Sequence, residues 1–79
     1  MPMFRVTFQG VFMDPHSAQL HDAGILYEGY ENAGPPQPAG ARVHKALVEA
    51  ESSADATRAF GDALGSNLSQ FGNLRAEPA

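Results

Sequence analysis

Three histidines, His16, His21 and His44, are the residues of this chain best suited to metal or acid–base chemistry. A neutral imidazole is a common zinc ligand, and it titrates close to neutral pH. His16 and His21 are five residues apart, which places them on different faces of a helix, whereas paired helical zinc ligands are four apart. The spacing therefore favours titratable surface groups, and no metal ion or cofactor is predicted.

Carboxylates and serines offer no clearer catalytic pattern. Glu49 and Glu51 are two residues apart and share one face of a predicted strand. Paired carboxylates divide acid and base roles only when their surroundings separate their pKa values. At a strand end beside a helix start, solvated carboxylates are expected instead. No serine stands in a nucleophile-elbow sequence, and no glycine-rich phosphate loop has a standard spacing. These residue patterns do not favour an enzyme.

The stretch Gln9-Gly10-Val11, with Phe12 beside it, resembles the end of the first strand in the acylphosphatase family. In that family the loop amides cradle a phosphate, and a following arginine completes the site. The resemblance implies an anion-binding hydrolase, although Asp14 stands near the expected arginine and its carboxylate would repel phosphate. The other interpretation of Gly10 is a bulge or a close approach of another segment to the backbone.

Composition limits the classes of partner. The net charge is −4, the single lysine is Lys45, and four arginines are scattered along the sequence. Nucleic-acid-binding proteins usually gather lysine and arginine into a basic patch. No nucleic-acid partner is therefore predicted.

Length and cysteine content bear on how the chain is stabilised. Seventy-nine residues predict one small domain, spanning 1–79. With no cysteine, disulfides are excluded. Small domains that lack disulfides or a structural metal are often stabilised by association. The chain is therefore predicted to form a homo-oligomer, a dimer or higher, with a protein partner as the other possibility.

No apolar run reaches the length of a membrane helix and no signal peptide is recognised, so a cytoplasmic protein with no membrane partner is expected.

The strongest structural signal is the stretch from Phe4 to Met13. Its bulky apolar residues recur at every second position, as expected for a strand with one buried face, and they are Phe4, Val6, Phe8 and Phe12. This strand is predicted to form the base of the core.

Further elements are predicted along the chain from the positions of glycine, proline and capping residues and from the periodicity of apolar residues. The segment 14–23 is either a short helix, with Asp14 as its cap, or an ordered loop. The clearest helix runs from Ser52 to Gly65, with a capping residue, one apolar face and a glycine stop. Other predicted elements are a strand over 25–31, a proline-rich hairpin loop over 34–40, a strand over 42–51, a strand over 68–76 and a frayed tail over 77–79.

This order predicts an α+β fold, with a small antiparallel sheet of three or four strands and one or two helices on one face. If 14–23 is helical, the order is βαββαβ, as in the ferredoxin-like fold.

One face of such a sheet is left without a helix. Contiguous apolar surface is uncommon on monomers, so this face is predicted to be an interface between copies. The predicted interface residues are Met3, Val11, Met13, Tyr27, Val43 and Leu47. The leading functional hypothesis is thus a non-catalytic, self-associating interaction module. A regulatory domain that binds a small molecule at a subunit interface is the alternative, and the anion-binding hydrolase is a third.

Overall fold

The computed structural model describes residues 1–31, 38 and 42–79. Within these residues it has a four-stranded antiparallel sheet and two α-helices, so the predicted α+β fold is confirmed. Most of the predicted 34–40 loop lies outside the described residues. The elements are β1 (Met3–Gln9), α1 (Asp14–Asp22), β2 (Leu26–Glu31), β3 (Val43–Glu49), α2 (Ser53–Leu64), a 3-10 helix (Gly65–Gln70) and β4 (Gly72–Pro78).

The strands are arranged in the order β2-β3-β1-β4, and each neighbouring pair is antiparallel. β1 lies in the middle and is aligned with β3 along its whole length, from Met3 opposite Glu49 to Gln9 opposite Val43. The most regularly alternating segment of the sequence is therefore a central strand.

The core lies between the sheet and the two helices. The β1 side chains Phe4, Val6 and Phe8 are buried there, as the alternation predicts. The Phe8 ring lies 4.7 Å from the ring of Phe60 on α2, measured between centroids. Phe12 also packs against this core, although it lies beyond the end of the strand.

The first strand ends at Gln9, not at Met13, because Gly10 turns the chain with a φ of 150°. A Cβ atom on Gly10 would lie 2.8 Å from Cδ1 of Phe71 and 2.9 Å from the carbonyl oxygen of Gln70. Both the dihedral angle and the missing space require glycine. Gly10 is thus the site of a close approach, which was one of the two interpretations of this residue.

Segment 14–23 is helical over Asp14–Asp22, but its cap differs from the prediction. Met13 occupies the cap position, and its amide N–H donates to Nδ1 of His16 at 3.1 Å. Asp14 is instead the first helical residue, where a carboxylate interacts favourably with the helix dipole. Gly24, with a φ of 76°, follows the helix.

The second helix has the predicted start and stop. The Ser52 hydroxyl oxygen accepts a hydrogen bond from the Asp55 amide at 3.1 Å, and Gly65 follows the last helical residue with a φ of 58°.

The last strand differs from its prediction at both ends. Leu68 lies in the 3-10 helix, so β4 begins at Gly72. At its other end β4 continues to Pro78, and the Ala79 amide donates to the Met3 carbonyl at 2.9 Å, so the predicted tail 77–79 is hydrogen-bonded to the sheet. In the described part of the chain, no helix has the length and apolar character needed to cross a membrane.

Candidate functional site

The sheet face that points away from α1 and α2 carries a mixture of apolar and charged side chains; we call it the open face. Its residues alternate along the strands with those of the core, and strand register places them side by side. They are Met3, Arg5, Thr7 and Gln9 of β1; Leu26, Glu28 and Glu31 of β2; Val43, Lys45, Leu47 and Glu49 of β3; and Arg75 and Glu77 of β4.

Apolar side chains lie at both ends of the open face. Leu26 is directly opposite Leu47, and it is the most exposed of the group at 61%. Met3 and Val43 are 37% and 36% exposed. An exposed leucine beside a second leucine, on a face that neither α1 nor α2 covers, is the kind of surface that a partner buries.

Charged side chains occupy the middle of the open face, and they are already paired within the chain. Arg5 of β1 reaches across β3 to Glu28 of β2, with 2.8 Å between Nε and Oε1. The hydrogen bond from Arg5 lowers the pKa of Glu28, and the same bond raises the pKa of Arg5. Lys45 and Glu31 form a second pair, 3.0 Å between Nζ and Oε1. The open face is therefore mixed, with apolar ends and a charged centre.

The predicted interface residues fall into three groups. Met3, Val43 and Leu47 lie on the open face, as expected. Tyr27 lies on the helix side, because it is opposite the buried Ala46 and its ring stacks on the Phe12 ring at 4.1 Å.

Val11 and Met13 form the third group. They are 45% and 54% exposed but lie in the β1–α1 connection, since the strand ends at Gln9. Leu26 was not among the predicted interface residues, because the adjacent apolar residues Ile25 and Leu26 obscure the alternation of this strand. Neighbouring residues on a strand face opposite sides, so one of the two had to lie on the open face, and here Ile25 is the buried one.

A second cluster surrounds His44, which is only 3% exposed. Its Nε2 lies 2.8 Å from the Gly10 carbonyl oxygen, and its Nδ1 lies 2.8 Å from the Tyr27 hydroxyl. A carbonyl oxygen only accepts, so in the neutral ring Nε2–H donates to Gly10. Nδ1 then accepts the hydrogen bond from the Tyr27 hydroxyl. One imidazole thus joins the β1–α1 connection, β2 and β3.

Aromatic rings enclose this imidazole. Phe8 stacks on it with 5.3 Å between ring centroids, and the Phe12 and Tyr30 rings lie 5.4 Å and 5.9 Å away. The Arg42 guanidinium lies 4.6 Å from the centroid of the Tyr30 ring. In the part of the chain that the structure describes, Nε of Arg42 is buried with no hydrogen-bond partner.

The electrostatics of the cluster keep it uncharged at neutral pH, apart from Arg42. Burial lowers the pKa of His44, the charge of Arg42 lowers it further, and the hydrogen bond to Gly10 acts in the opposite direction. Burial also raises the pKa of Tyr27. The two hydrogen bonds of the neutral imidazole hold the β1–α1 connection, β2 and β3 together.

The interpretation of the histidines as surface groups holds for His21 and is wrong for His16 and His44, which are buried. Spacing along the sequence carries no information about the rings that surround a histidine, so this burial was not predictable. Over residues 1–31, 38 and 42–79, no three histidine, aspartate or glutamate side chains are grouped so as to hold a metal ion.

The β1–α1 connection differs from the phosphate cradle that the acylphosphatase resemblance implies. The Gly10 amide donates to the Arg42 carbonyl at 3.4 Å, and the Met13 amide is bonded to His16. Two amides of the connection therefore already have partners, and Asp14 follows directly in the first turn of α1.

Comparison with known proteins gives no relative to this chain: no family model, no curated protein and no solved structure matches it. Function is therefore inferred from the open face and from the His44 cluster.

Proposed function

We propose that this protein is a non-catalytic interaction module that associates with a second copy of itself, and that the second copy covers the open face. The observation that carries this proposal is the exposed Leu26 opposite Leu47 on a sheet face that neither helix covers. The βαββαβ order and the strand order β2-β3-β1-β4 support a ferredoxin-like arrangement, in which the helices occupy one face of the sheet.

The open face is small compared with the interfaces of stable dimers. Four strands ~4.8 Å apart and about seven residues long at ~3.3 Å each form a face of roughly 19 by 23 Å, before the relief of the side chains is counted. A stable interface buries about 800 Å² on each partner. A second copy must therefore cover the whole face, including its charged centre.

The charge of the open face favours a second copy as its occupant. The face holds three cationic and four acidic side chains, so its signs are nearly balanced although the whole chain has a net charge of −4. A copy related by a two-fold axis can place cations opposite carboxylates. Like-charge repulsion between the two faces is then small.

Both edges of the sheet are less suitable for association than the face. In β2 the pairing is interrupted between Tyr27 and Gly29, and Gly29 has a φ of 115°. In β4 Asn73 has a φ of 53°, and Pro78 lacks an amide donor. Bulges, unusual dihedral angles and proline are the features by which sheet edges resist pairing.

A small-molecule-binding regulatory domain is the second candidate, and a cavity favours it. The cavity has a volume of about 390 Å³ and is lined by Met1, Ala23, Gly24, Ile25, Val48, Glu49 and Ala59. This volume is within the range of ligand pockets, roughly 300–1,000 Å³. Glu49 belongs to both the cavity and the open face, so a ligand there would lie beside the proposed interface. A rise in melting temperature with amino acids or nucleotides would support this candidate.

Sedimentation equilibrium tests the proposed self-association. We expect the wild-type chain to be dimeric at micromolar concentration and Leu26→Lys to sediment as the 8.4 kDa monomer. Val11→Lys is the matched control, because Val11 is similarly exposed but lies off the open face. A wild-type monomer at every concentration would exclude the proposal. Dissociation by Val11→Lys alone would place the interface at the β1–α1 connection instead.

A further inference from the structure

His44 bonds to two segments of the chain on either side of its own strand. It anchors the carbonyl of Gly10 and the hydroxyl of Tyr27, and its own strand β3 lies between them. In the part of the chain that the structure describes, β2 is an edge strand that pairs with β3 alone, and its register is interrupted after Tyr27. The hydrogen bond and ring contacts from His44 therefore supplement a short and irregular ladder.

We propose that His44 is a pH-sensitive latch: when its ring takes up a proton, β2 and the β1–α1 connection (residues 10–13) separate from the sheet while the β1–β3 pair stays folded. This inference goes beyond the proposed function and does not depend on association between copies. It concerns local opening within one chain, which is a property of protein segments of low local stability.

The surroundings of the His44 ring explain why its protonation would favour the opening of β2. The Tyr27 hydroxyl can turn and accept from a protonated Nδ1, so both hydrogen bonds survive protonation. The charge, however, stays enclosed by the rings of Phe8 and Phe12 and close to the positive Arg42. A buried cation beside a second cation is unfavourable unless water reaches it.

The titratable and charged groups that face the ring come from two elements. β2 contributes Tyr27 and Tyr30, and the residue before β3 contributes Arg42. On α1, His16 lies on the Phe12 and Phe71 rings, beyond direct contact with His44. Among the described residues, no carboxylate forms an ion pair with His44, so no negative group offsets the added charge.

The path by which water reaches the ring is through β2. The central strands β1 and β3 lie on one side of the imidazole and the Phe8 and Phe12 rings cover it, whereas Tyr30 on the β2 side is 46% exposed. Moving β2 away solvates the imidazole and breaks the contact of Tyr27 with the Phe12 ring, whereas the buried side chains of β1 and α2 keep their packing. The hydrogen bond from His44 to Gly10 then no longer restrains the β1–α1 connection.

Amide hydrogen exchange, with NMR titration of the histidine rings, tests the latch on the wild-type chain. The useful range is from about pH 8 to about pH 5, in which histidine titrates and carboxylates stay ionised. Between the pKa values of the open and closed states, protection factors of residues 27–31 should fall about tenfold for each pH unit. Amides of β1 and β3 should stay better protected than those of residues 27–31 at every pH in this range, because they exchange only when the whole chain unfolds.

Three variants make the assignment specific. His44→Gln should remove the pH dependence, and His21→Gln, at an exposed histidine, should leave it unchanged. Arg42→Gln removes a charge that lowers the pKa of His44, so the loss of protection should level off at a higher pH. If His44→Gln does not fold, tyrosine fluorescence of the wild type gives a second readout, because the chain has no tryptophan and both tyrosines lie in this cluster.

Several results would overturn the latch. Protonation of the His44 ring with unchanged protection at 27–31 would show that the charge is accommodated in place. Equal protection of residues 27–31 and of the β1 and β3 amides at every pH would show that this region opens only by global unfolding. Persistence of the pH dependence in His44→Gln would assign it to another group.

Discussion

Gly10 is the residue at which two independent constraints meet. Its φ of 150° is unfavourable for a side chain, and the space that a Cβ would fill is occupied by Phe71 and the Gln70 carbonyl. We expect Gly10→Ala to lower the free energy of unfolding by roughly 3 kcal/mol, from backbone strain and overpacking together. Chemical denaturation, read by far-ultraviolet circular dichroism, measures this change.

Two other glycines allow the effect of the dihedral angle to be measured apart from the effect of the missing space. Gly24 has a φ of 76° but open space where a Cβ atom would lie, so Gly24→Ala should lower the free energy of unfolding by only about 1 kcal/mol. Gly72 has neither constraint, and Gly72→Ala should be close to neutral. Equal effects of all three substitutions would show that the contact with Phe71 has no energetic importance.

His44 should also make global stability depend on pH. Burial lowers its folded-state pKa below the ordinary 6.5, so the unfolded chain takes up the proton first as the pH falls. The stabilisation is complete above pH 6.5, and it is lost as the pH falls from there through the lowered pKa. Glu28, whose pKa is lowered from 4.5, acts in a more acidic range.

Urea unfolding at about pH 8, 6.5 and 5 measures this dependence in the range where histidine titrates. The free energy of unfolding should decrease toward pH 5 in the wild type and in His21→Gln, and stay nearly constant in His44→Gln. A wild-type value that does not change down to pH 5 would contradict the assignment.

Residues were predictable from the sequence where local alternation decides their position. The buried stripe of Phe4, Val6 and Phe8 follows directly from a period of two. The burial of His44 was not predictable, because Tyr27 and Gly10, which bond its two nitrogens, are 17 and 34 residues away.

At the scale of elements, α2 depends on the side chain at its start. The Ser52 hydroxyl oxygen satisfies the Asp55 amide, one of the helix-start amides that no helical carbonyl can reach. Ser52→Ala should therefore lower the free energy of unfolding by about 1 kcal/mol. Thermal and urea unfolding both report this loss.

Ser53 is the matched control, since it is a neighbouring exposed serine and the first residue of α2. Ser53→Ala leaves the cap intact and introduces a better helix former, so it should be neutral or slightly stabilising. If both substitutions had the same effect, the cap would not be the source of the stability.

Elements with local signals were predicted well, and those set by distant contacts were not. The start, apolar face and stop of α2 are all encoded within its own sequence. The end of β1 is decided at Gly10 by Phe71 and Gln70, which lie some 60 residues further along the chain. The start of β4 was missed because Leu68, which fits a strand pattern, lies in a 3-10 helix.

At the scale of the whole molecule, the open face is less apolar than the sequence pattern predicted. Tyr27 faces the helices, and Val11 and Met13 lie off the sheet. What remains is an apolar end around Leu26 and Leu47, next to the Arg5–Glu28 ion pair. Leu26 is exposed there and Leu47 is half-buried, and a second copy with the same mixture of charges is the occupant we propose.

Intermolecular contacts measured by isotope-filtered NMR test this central claim most directly. In a mixture of ¹³C-labelled and unlabelled chains, we predict nuclear Overhauser effects from the methyl groups of Leu26 and Leu47 in one copy to open-face protons of the other. Contacts that involve only Val11 and Met13, or none in a sample shown to be dimeric through another surface, would contradict the proposed interface.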